Sequence, residues 1–257
     1  MLGAICGDVI GSVHEWAATK TKDFPLFVRK STFTDDSVLT VAVAEWILDG
    51  KDLTKVLQAY TAAYPGRGYG LMYGQWAANR HSKPYNSFGN GSAMRVSSVG
   101  FAFDTAEDVL DWAERSAAVT HNHPEGIRGA QATALAVYLA RNGLEKDQIR
   151  TELESRFGYD LSQELDIIRP TYCFNETCQE TVPQAIIAFL ESTSYEDAVR
   201  NAISLGGDAD TLACITGGIA EAYYGVPRDI SRPVLEILDP DLVAVIDQFH
   251  KRFGVAT

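Results

Sequence analysis

The helical spacing of apolar residues is the feature that most limits what this chain can fold into. Between breaks that contain glycine or proline, apolar residues recur at intervals of three and four. The segment 35–50 opens with two aspartates, carries Val38, Val41 and Trp46 at helical spacing, and stops at Gly50. Strand signals are few, and no alternating run of β-branched residues extends far. The pattern therefore predicts an all-α fold.

The same start and stop signals predict further helices along the chain. Asp52 and Thr105 are typical N-caps, and an alanine-rich helix ends near Asn142. The later predicted helices occupy 182–192, 194–207, 208–225 and the stretch from about Pro233 to Phe253. The segments share no repeat period, which argues against a solenoid. With no linker and no low-complexity tract, we predict one domain over residues 1–257.

Composition and charge exclude several classes of partner. The chain is 46% hydrophobic and 22% charged, which is ordinary for a globular protein with a substantial core. Its formal net charge of −12 argues against binding to nucleic acid or to an anionic membrane, because both need a basic face. An anionic small ligand is still possible, since backbone N–H groups and metal ions could hold it.

Neither the cysteines nor the N-terminal stretch indicates a secreted or membrane protein. We expect Cys6 and Cys214 to be small core residues, because their surroundings are apolar. Cys173 and Cys178 have no second Cys/His pair nearby, which disfavours a zinc site. The apolar N-terminal stretch is short, lacks a basic region and is interrupted by Asp8. We therefore expect a cytoplasmic location.

Two pairs of aspartates stand at predicted helix starts, in TDDS (34–37) and in GGDADT (206–211). One interpretation is helix capping, because a helix N-terminus favours acidic side chains. A cap needs only one carboxylate, however, and both motifs carry two. Both helices continue with strongly apolar faces, which indicates buried helices whose starts converge. The sequence leaves capping and ligand binding open as alternatives.

Converging carboxylates would need cations. Four carboxylates in a partly buried place repel one another strongly unless positive charge neutralises them. Carboxylate and threonine oxygens, with no Cys or His in either motif, favour Mg²⁺, Mn²⁺ or Ca²⁺. One aspartate that served two metals would place them roughly 4 Å apart. The motifs therefore predict a site for two hard cations.

The ordered set of motifs resembles the ADP-ribosylglycohydrolase family. The matching elements are TDDS, RGYG, NSFGNGSAMR, VTHNHPEG, TVPQAI and GGDADT, and the likeness runs from GDVIGSVHEW to about residue 225. The family includes a bacterial hydrolase that reactivates ADP-ribosylated dinitrogenase reductase. It also includes animal enzymes that remove ADP-ribose from arginine or serine.

The resemblance implies a single compact orthogonal helical bundle with a dinuclear Mg²⁺ or Mn²⁺ centre in a cleft. By position, the ligands of one metal would be Thr34, Asp35, Asp36 and Asp210. The ligands of the other would be Asp208, Asp210 and Thr211, with Asp210 bridging. Ser37 replaces the threonine that is commoner in the family, a mild departure.

The resemblance also implies a substrate site built on glycine-rich turns, whose bare backbones can approach a diphosphate. The residues that would hold the diphosphate and its ribose are Gly68, Gly70, Ser87 and Gly89. Phe88 matches a position that can stack on adenine, and His121 matches a position near the ligand. For His123 we favour a loop histidine bonded to the backbone. Asn90 and Arg95 are interpreted as structural.

The implied reaction is hydrolysis at C1″ of the distal ribose of an ADP-ribosyl group. Asp35 or Asp36 could accept the proton of the attacking water, while Glu15 gates access or assists. Some relatives carry a carboxylate before the GNG turn, where this chain has Tyr85-Asn86-Ser87, so the base is left open. Two rivals remain: a hydrolase of a free ADP-ribose conjugate or nucleotide, and a non-catalytic binder of ADP-ribose. The expected partner is ADP-ribose or an ADP-ribosylated protein, with the acceptor residue and the oligomeric state unassigned.

Overall fold

The computed structural model describes residues 1–79 and 83–255, and within them the fold is all-α, as predicted. The only β pairing in these ranges is an isolated bridge between Gly89 and Thr177. The first helices are α1 (Leu2–Gly11), α2 (Asp35–Asp49), α3 (Leu53–Ala63), α4 (Leu71–Ala78), α5 (Gly91–Met94), α6 (Ser97–Ala102) and α7 (Ala106–Ala118). They are followed by α8 (Pro124–Arg141), α9 (Lys146–Phe157), α10 (Leu165–Ile168), α11 (Cys178–Leu190), α12 (Tyr195–Ile203), α13 (Ala209–Tyr224), α14 (Arg228–Ile237) and α15 (Pro240–Phe253).

The predicted helix boundaries on α2, α3 and α7 are confirmed by their caps. Asp52 and Thr105 accept hydrogen bonds from the backbone N–H groups of Lys55 and Asp108. Gly50 ends α2 in the left-handed conformation, with φ of 65°, where glycine carries no steric penalty.

The predicted C-terminal helix from about Pro233 to Phe253 is wrong. The structure has two helices there, with Pro233 inside α14 and a break at Leu238. The Asp239 side chain accepts a hydrogen bond from the N–H of Asp241, and Pro240 takes the first helical position. An N-cap aspartate followed by proline is a helix start signal, and it was overlooked inside a continuous apolar pattern.

Several helices are not predicted from the sequence, and α1 is the most important of them. Every residue of α1 is buried, so the segment shows no amphipathic period. The stretch from Lys146 to Phe157 was missed although Glu145 and Gln148 form a capping box at its start. The one-domain prediction over 1–257 stays a prediction, and its residues 80–82 and 256–257 lie outside the described part.

Helices α1 and α13 pack so closely that their backbones nearly touch, and this pair forms the centre of the molecule. A Cβ atom built on Gly7 would lie 2.0 Å from the carbonyl oxygen of Ala213. On Gly11 it would lie 2.5 Å from the Cα of Asp210, and on Gly3 it would lie 2.5 Å from the Gly217 oxygen. Only glycine permits these approaches. The spacing of four residues puts the three glycines of α1 on one face.

The core around this pair is a continuous cluster of buried apolar side chains from most of the helices. Cys6 and Cys214 are buried and free, as expected of core residues. Cys173 is exposed and Cys178 is buried, and neither forms a disulfide. Among the described residues, no helix is both long and apolar enough to cross a bilayer.

We predict that Gly7→Ala destabilises the protein by about 3 kcal/mol, because the added methyl collides with the α13 backbone. Urea unfolding measures the change. The matched control is Gly74→Ala in α4, where a Cβ meets no atom within 4 Å. There the better helix propensity of alanine should add up to about 1 kcal/mol of stability. Equal effects of the two substitutions would contradict the close contact.

Candidate active site

The predicted site residues meet at one cavity, with a volume of about 380 Å³, beside the N-termini of α2 and α13. Its lining includes the predicted metal ligands Thr34, Asp35, Asp36, Asp208, Asp210 and Thr211. It also includes Glu15 and, from the predicted substrate set, Gly68, Gly70, Ser87, Gly89 and His121. Phe88 is not in the lining; its ring is 46% exposed and lies 5.3 Å from that of His123. The structure brings all of these residues except Phe88 to the same cavity, and their individual roles stay predictions.

Carboxylates from three separate parts of the chain converge at this cavity, although Asp8 itself does not line it. Asp8, Asp36 and Asp210 each offer an oxygen within 4.8 Å of the others, and all three residues are buried. A second such group contains Glu15, Asp208 and Asp210. Asp210 belongs to both groups, which places it at the centre of the cluster.

Asp8 is a candidate site residue that was not predicted from the sequence. Its Oδ2 atom accepts hydrogen bonds from the N–H groups of Thr34, at 3.0 Å, and Ser37, at 3.2 Å, and from the Ser37 hydroxyl. Its Oδ1 atom accepts from the Thr34 hydroxyl at 2.7 Å. A charged residue in an otherwise apolar segment was the available signal. It was used only to argue against a membrane span.

The contacts separate capping from ligand binding at the two aspartate motifs. Thr34 is the N-cap of α2, and its Oγ1 accepts a hydrogen bond from the N–H of Asp36. Asp35 and Asp36 lie in the first turn, inside the cap. At α13 the N-cap residue is Asp208, yet its side chain makes no capping hydrogen bond. Capping therefore accounts for Thr34 but leaves the aspartate side chains unexplained.

The electrostatics show that the cluster lacks positive charge. Burial, and then repulsion by neighbouring carboxylates, raises the pKa values of Asp35, Asp36 and Asp210 well above the ordinary range. Burial and the nearby Asp208 raise the pKa of Glu15 to about 7. The Oδ1 atom of Asp36 is buried and has no hydrogen-bond partner among the described residues.

These observations fit a hard divalent cation. An unpartnered buried carboxylate oxygen costs free energy unless a proton or a cation meets it. The surrounding donor set consists of carboxylate and hydroxyl oxygens, the ligands that Mg²⁺ and Mn²⁺ prefer. The acidic groups could thus hold metal.

The glycine-rich turn at 67–70 is attached directly to the carboxylate cluster. The N–H of Asp35 donates to the carbonyl of Arg67 at 2.8 Å. Gly68 has φ of 101°, and a Cβ there would lie 3.3 Å from Oδ1 of Asp35. A side chain would therefore be strained and would crowd a proposed ligand.

The second turn, 87–90, is held by backbone hydrogen bonds to residues 176 and 178. The Asn90 N–H donates to the Glu176 carbonyl at 2.7 Å, and the Cys178 N–H donates to the Phe88 carbonyl at 2.9 Å. The Asn90 amide also donates to Oδ2 of Asp208 at 2.7 Å. This contact confirms the structural interpretation of Asn90, and it joins the turn to the carboxylate cluster.

The two histidines of the THNHPEG motif separate as expected. Nδ1 of His123 accepts a hydrogen bond from the Glu125 N–H, so the residue caps α8. His121 is buried, lines the cavity and contacts the Thr120 hydroxyl through Nδ1 at 2.7 Å. Arg95, fully buried, donates to the same hydroxyl at 2.8 Å.

The fold and the site define an all-α protein with a cleft in which buried carboxylates from several helices could hold divalent cations. The family model for ADP-ribosylglycohydrolases matches residues 1–256. The chain therefore belongs to the ADP-ribosylglycohydrolase family and is an enzyme of that glycosidase-type class of hydrolases.

Individual relatives are distant. ADP-ribosylhydrolase ARH3 from Xenopus tropicalis is 26% identical over 88% of this chain and 86% of that protein. The human ARH3 is 27% identical over 89% of this chain and 85% of its own length. ADP-ribosylarginine hydrolase Tri1 from Pseudomonas putida is 28% identical, over 54% of this chain and 39% of that protein. A solved ADP-ribosylglycohydrolase-related protein complex shares the fold, with a TM-score of 0.67 and 23% identity over 98% of this chain and 96% of that one.

Two aspartates of the cluster should respond oppositely to neutralisation in the metal-free protein. Asp36→Asn should stabilise it by about 1 kcal/mol, because a repelled and incompletely bonded charge is removed. Burial raises the pKa of Asp8 as well, but Asp8→Asn should destabilise the protein by about 2 kcal/mol, because both carboxylate oxygens accept hydrogen bonds that an amide cannot all replace.

Urea unfolding in the presence of a chelator provides both values. Adding Mg²⁺ or Mn²⁺ should then raise the melting temperature of the wild type and leave that of Asp36→Asn almost unchanged. A full metal-dependent shift in Asp36→Asn would contradict a role for this carboxylate in metal binding.

Proposed function

We propose that the protein hydrolyses the glycosidic bond at C1″ of an ADP-ribosyl group attached to a protein side chain, with two divalent cations as cofactors. The observation that carries the proposal is the convergence of carboxylates from α2, α13 and the turn after α1 in the same cavity as two glycine-rich turns, with Asp8 of α1 in contact with this group. Carboxylates suit an oxocarbenium-like centre, and bare backbone suits a diphosphate. ADP-ribose carries both groups.

The residues that would hold the two cations are Thr34, Asp35, Asp36, Asp208, Asp210 and Thr211. Asp8 extends this set, because its carboxylate lies with those of Asp36 and Asp210. When bound, Mg²⁺ or Mn²⁺ would supply a Lewis acid that orients the ribose hydroxyls and the attacking water. Asp8 also fixes the α2 N-terminus, so its carboxylate positions Thr34 and Ser37.

The proton transfers fall to carboxylates of the cluster. Asp35 or Asp36 would accept the proton of the attacking water. Glu15 is half-buried on the turn that follows α1 and lines the cavity, where it would gate access or assist. The turns at 67–70 and 87–90 would hold the diphosphate through backbone N–H groups.

A second candidate function is kept, because the group to which the ADP-ribose is attached in the substrate is unassigned. The names of the relatives include an ADP-ribosylarginine hydrolase, whereas the name ARH3 specifies no acceptor. We therefore keep a free ADP-ribose conjugate or nucleotide as the second candidate substrate of the same cavity. A non-catalytic binder is disfavoured by the complete set of carboxylates, because binding alone does not require every one of them.

The decisive experiment measures release of ADP-ribose from arginine-linked and serine-linked ADP-ribosyl peptides, with Mg²⁺, with Mn²⁺ and with a chelator. We expect metal-dependent release from at least one conjugate. Asp35→Asn and Asp210→Asn should each lower the rate by at least about 100-fold, because loss of a ligand exceeds the usual effect of losing a residue that only supports one.

The matched control is Asp160→Asn, the same chemical change at an exposed carboxylate outside the cavity lining. It should retain wild-type activity. Full activity in Asp35→Asn or Asp210→Asn would contradict the proposed metal site. Binding of ADP-ribose by calorimetry, with no release from any conjugate, would support the binder instead.

A further inference from the structure

A buried chain of hydrogen bonds leads from Arg95 to His121 at the wall of the cavity. Nη2 of Arg95 donates to the Ser116 carbonyl and to Oγ1 of Thr120, both at 2.8 Å. Oγ1 of Thr120 lies 2.7 Å from Nδ1 of His121. Arg95 and Thr120 are both fully buried, so water does not compete for these contacts.

The distances favour one donor-to-acceptor direction for these hydrogen bonds. The threonine hydroxyl has one proton, and its oxygen already accepts from Arg95. The alternative acceptor for that proton, the Ala117 carbonyl, is 3.5 Å away, at the limit of a hydrogen bond, whereas Nδ1 of His121 is at 2.7 Å. The shorter contact favours donation by the hydroxyl to Nδ1, which would place the ring proton of a neutral His121 on Nε2.

Nε2 of His121 lies beside the second glycine-rich turn. Cβ atoms built on Gly91 and Gly89 would be 3.2 Å and 3.6 Å from it. Among the described residues it has no hydrogen-bond partner, and the imidazole lines the cavity. A ligand in the cavity can therefore accept this N–H. Burial and the adjacent Arg95 guanidinium hold the pKa of His121 well below its usual range, which keeps the ring neutral.

The positive charge of Arg95 near the Nε2–H of His121 favours an anionic hydrogen-bond acceptor. Arg95 forms no ion pair with any described carboxylate, and its Nε and Nη1 atoms have no hydrogen-bond partner there. A buried, unpaired guanidinium polarises the chain towards His121 and favours negative charge at its end. This wall of the cavity is thus suited to an anion, while the carboxylate cluster is suited to cations.

We propose that Thr120 and Arg95 are positioning residues that orient His121, the predicted substrate-binding histidine, so that its Nε2–H donates to a phosphate oxygen of the ADP-ribosyl diphosphate. His121 then serves in binding, and it is not the acid or the base of the reaction. The inference rests on the proposed function for the identity of the ligand.

The first test uses the wild-type protein without ligand. Long-range ¹H–¹⁵N NMR spectra of the imidazole should show the neutral Nε2–H tautomer throughout the stable pH range. An Nδ1–H tautomer, or protonation near pH 6.5, the usual histidine pKa, would overturn the inference.

The second test compares Thr120→Val, which keeps the shape and removes the hydroxyl, with Thr120→Ser, which keeps the hydroxyl. Thr120→Val should weaken ADP-ribose and ADP binding about tenfold, the effect of one hydrogen bond, and leave adenosine binding unchanged. Thr120→Ser should restore both affinities. KM for an ADP-ribosyl peptide should rise in Thr120→Val with little change in kcat. Equal losses for adenosine and ADP, or no rescue by serine, would overturn the assignment.

A double-mutant cycle covers the case in which Thr120→Val folds poorly. His121→Gln supplies an amide N–H that needs no contact with Thr120, so Thr120→Val should cause no further loss of ADP-ribose affinity in that background. Additive losses of ADP-ribose affinity would contradict the proposed coupling between Thr120 and His121. If only the proposed function is wrong, the Thr120 and His121 variants should still change the affinity for ADP-ribose as described, but no conjugate should be hydrolysed. If the wild type binds neither ADP nor ADP-ribose, the diphosphate assignment fails.

Discussion

The close contact between α1 and α13 is the constraint on which the site depends. Because glycines at 3, 7 and 11 let the two backbones touch, Asp8 on α1 reaches the N-terminal turn of α13, where Asp210 lies. Asp8 in turn binds the N–H groups at the start of α2. A single packing contact thus sets the relative positions of three chain segments that are far apart in sequence. A larger residue on that face of α1 would separate the carboxylates as well as loosen the core.

The same packing leaves the cavity with two uncompensated charges of opposite sign. The carboxylates lie at the starts of buried helices, where the helix N-terminus offsets part of their repulsion. Arg95 lies in the α5–α6 junction, and its side chain contacts Ser116 of α7 and Thr120 just after it. It has no acidic partner among the described residues. Both features cost folding free energy in the isolated chain. The proposed function would account for both, with cations held at one wall and a diphosphate bound at another.

Much of the fold and the site could be predicted from sequence because the relevant signals are local. Thr34 and Gly50 mark α2 by their own conformational preferences, and TDDS and GGDADT are short motifs with a recognisable order. Asp8 could not be assigned in this way, because its partners Thr34 and Ser37 lie 26 and 29 residues away and are supplied by tertiary packing. The break before Asp239 was missed for another reason: the apolar pattern of α14 continues into α15 without a change of period. The contact of Thr120 with Arg95 is likewise visible only once α5 and α7 are in place.

Glu15 differs from the aspartates in a way that bears on its chemistry. Asp8, Asp36 and Asp210 are held within helices, where the backbone fixes the direction of each side chain. Glu15 lies on the turn 12–18, is half-buried, and joins the cluster through a longer side chain. Rigid, buried carboxylates suit permanent ligands, because they lose little conformational entropy when a cation binds. A half-buried carboxylate on a turn, in contact with solvent as well as with the cluster, suits proton exchange with water. Since no carboxylate precedes the turn at 87–90, Glu15 is the group of this cluster whose environment best matches that task.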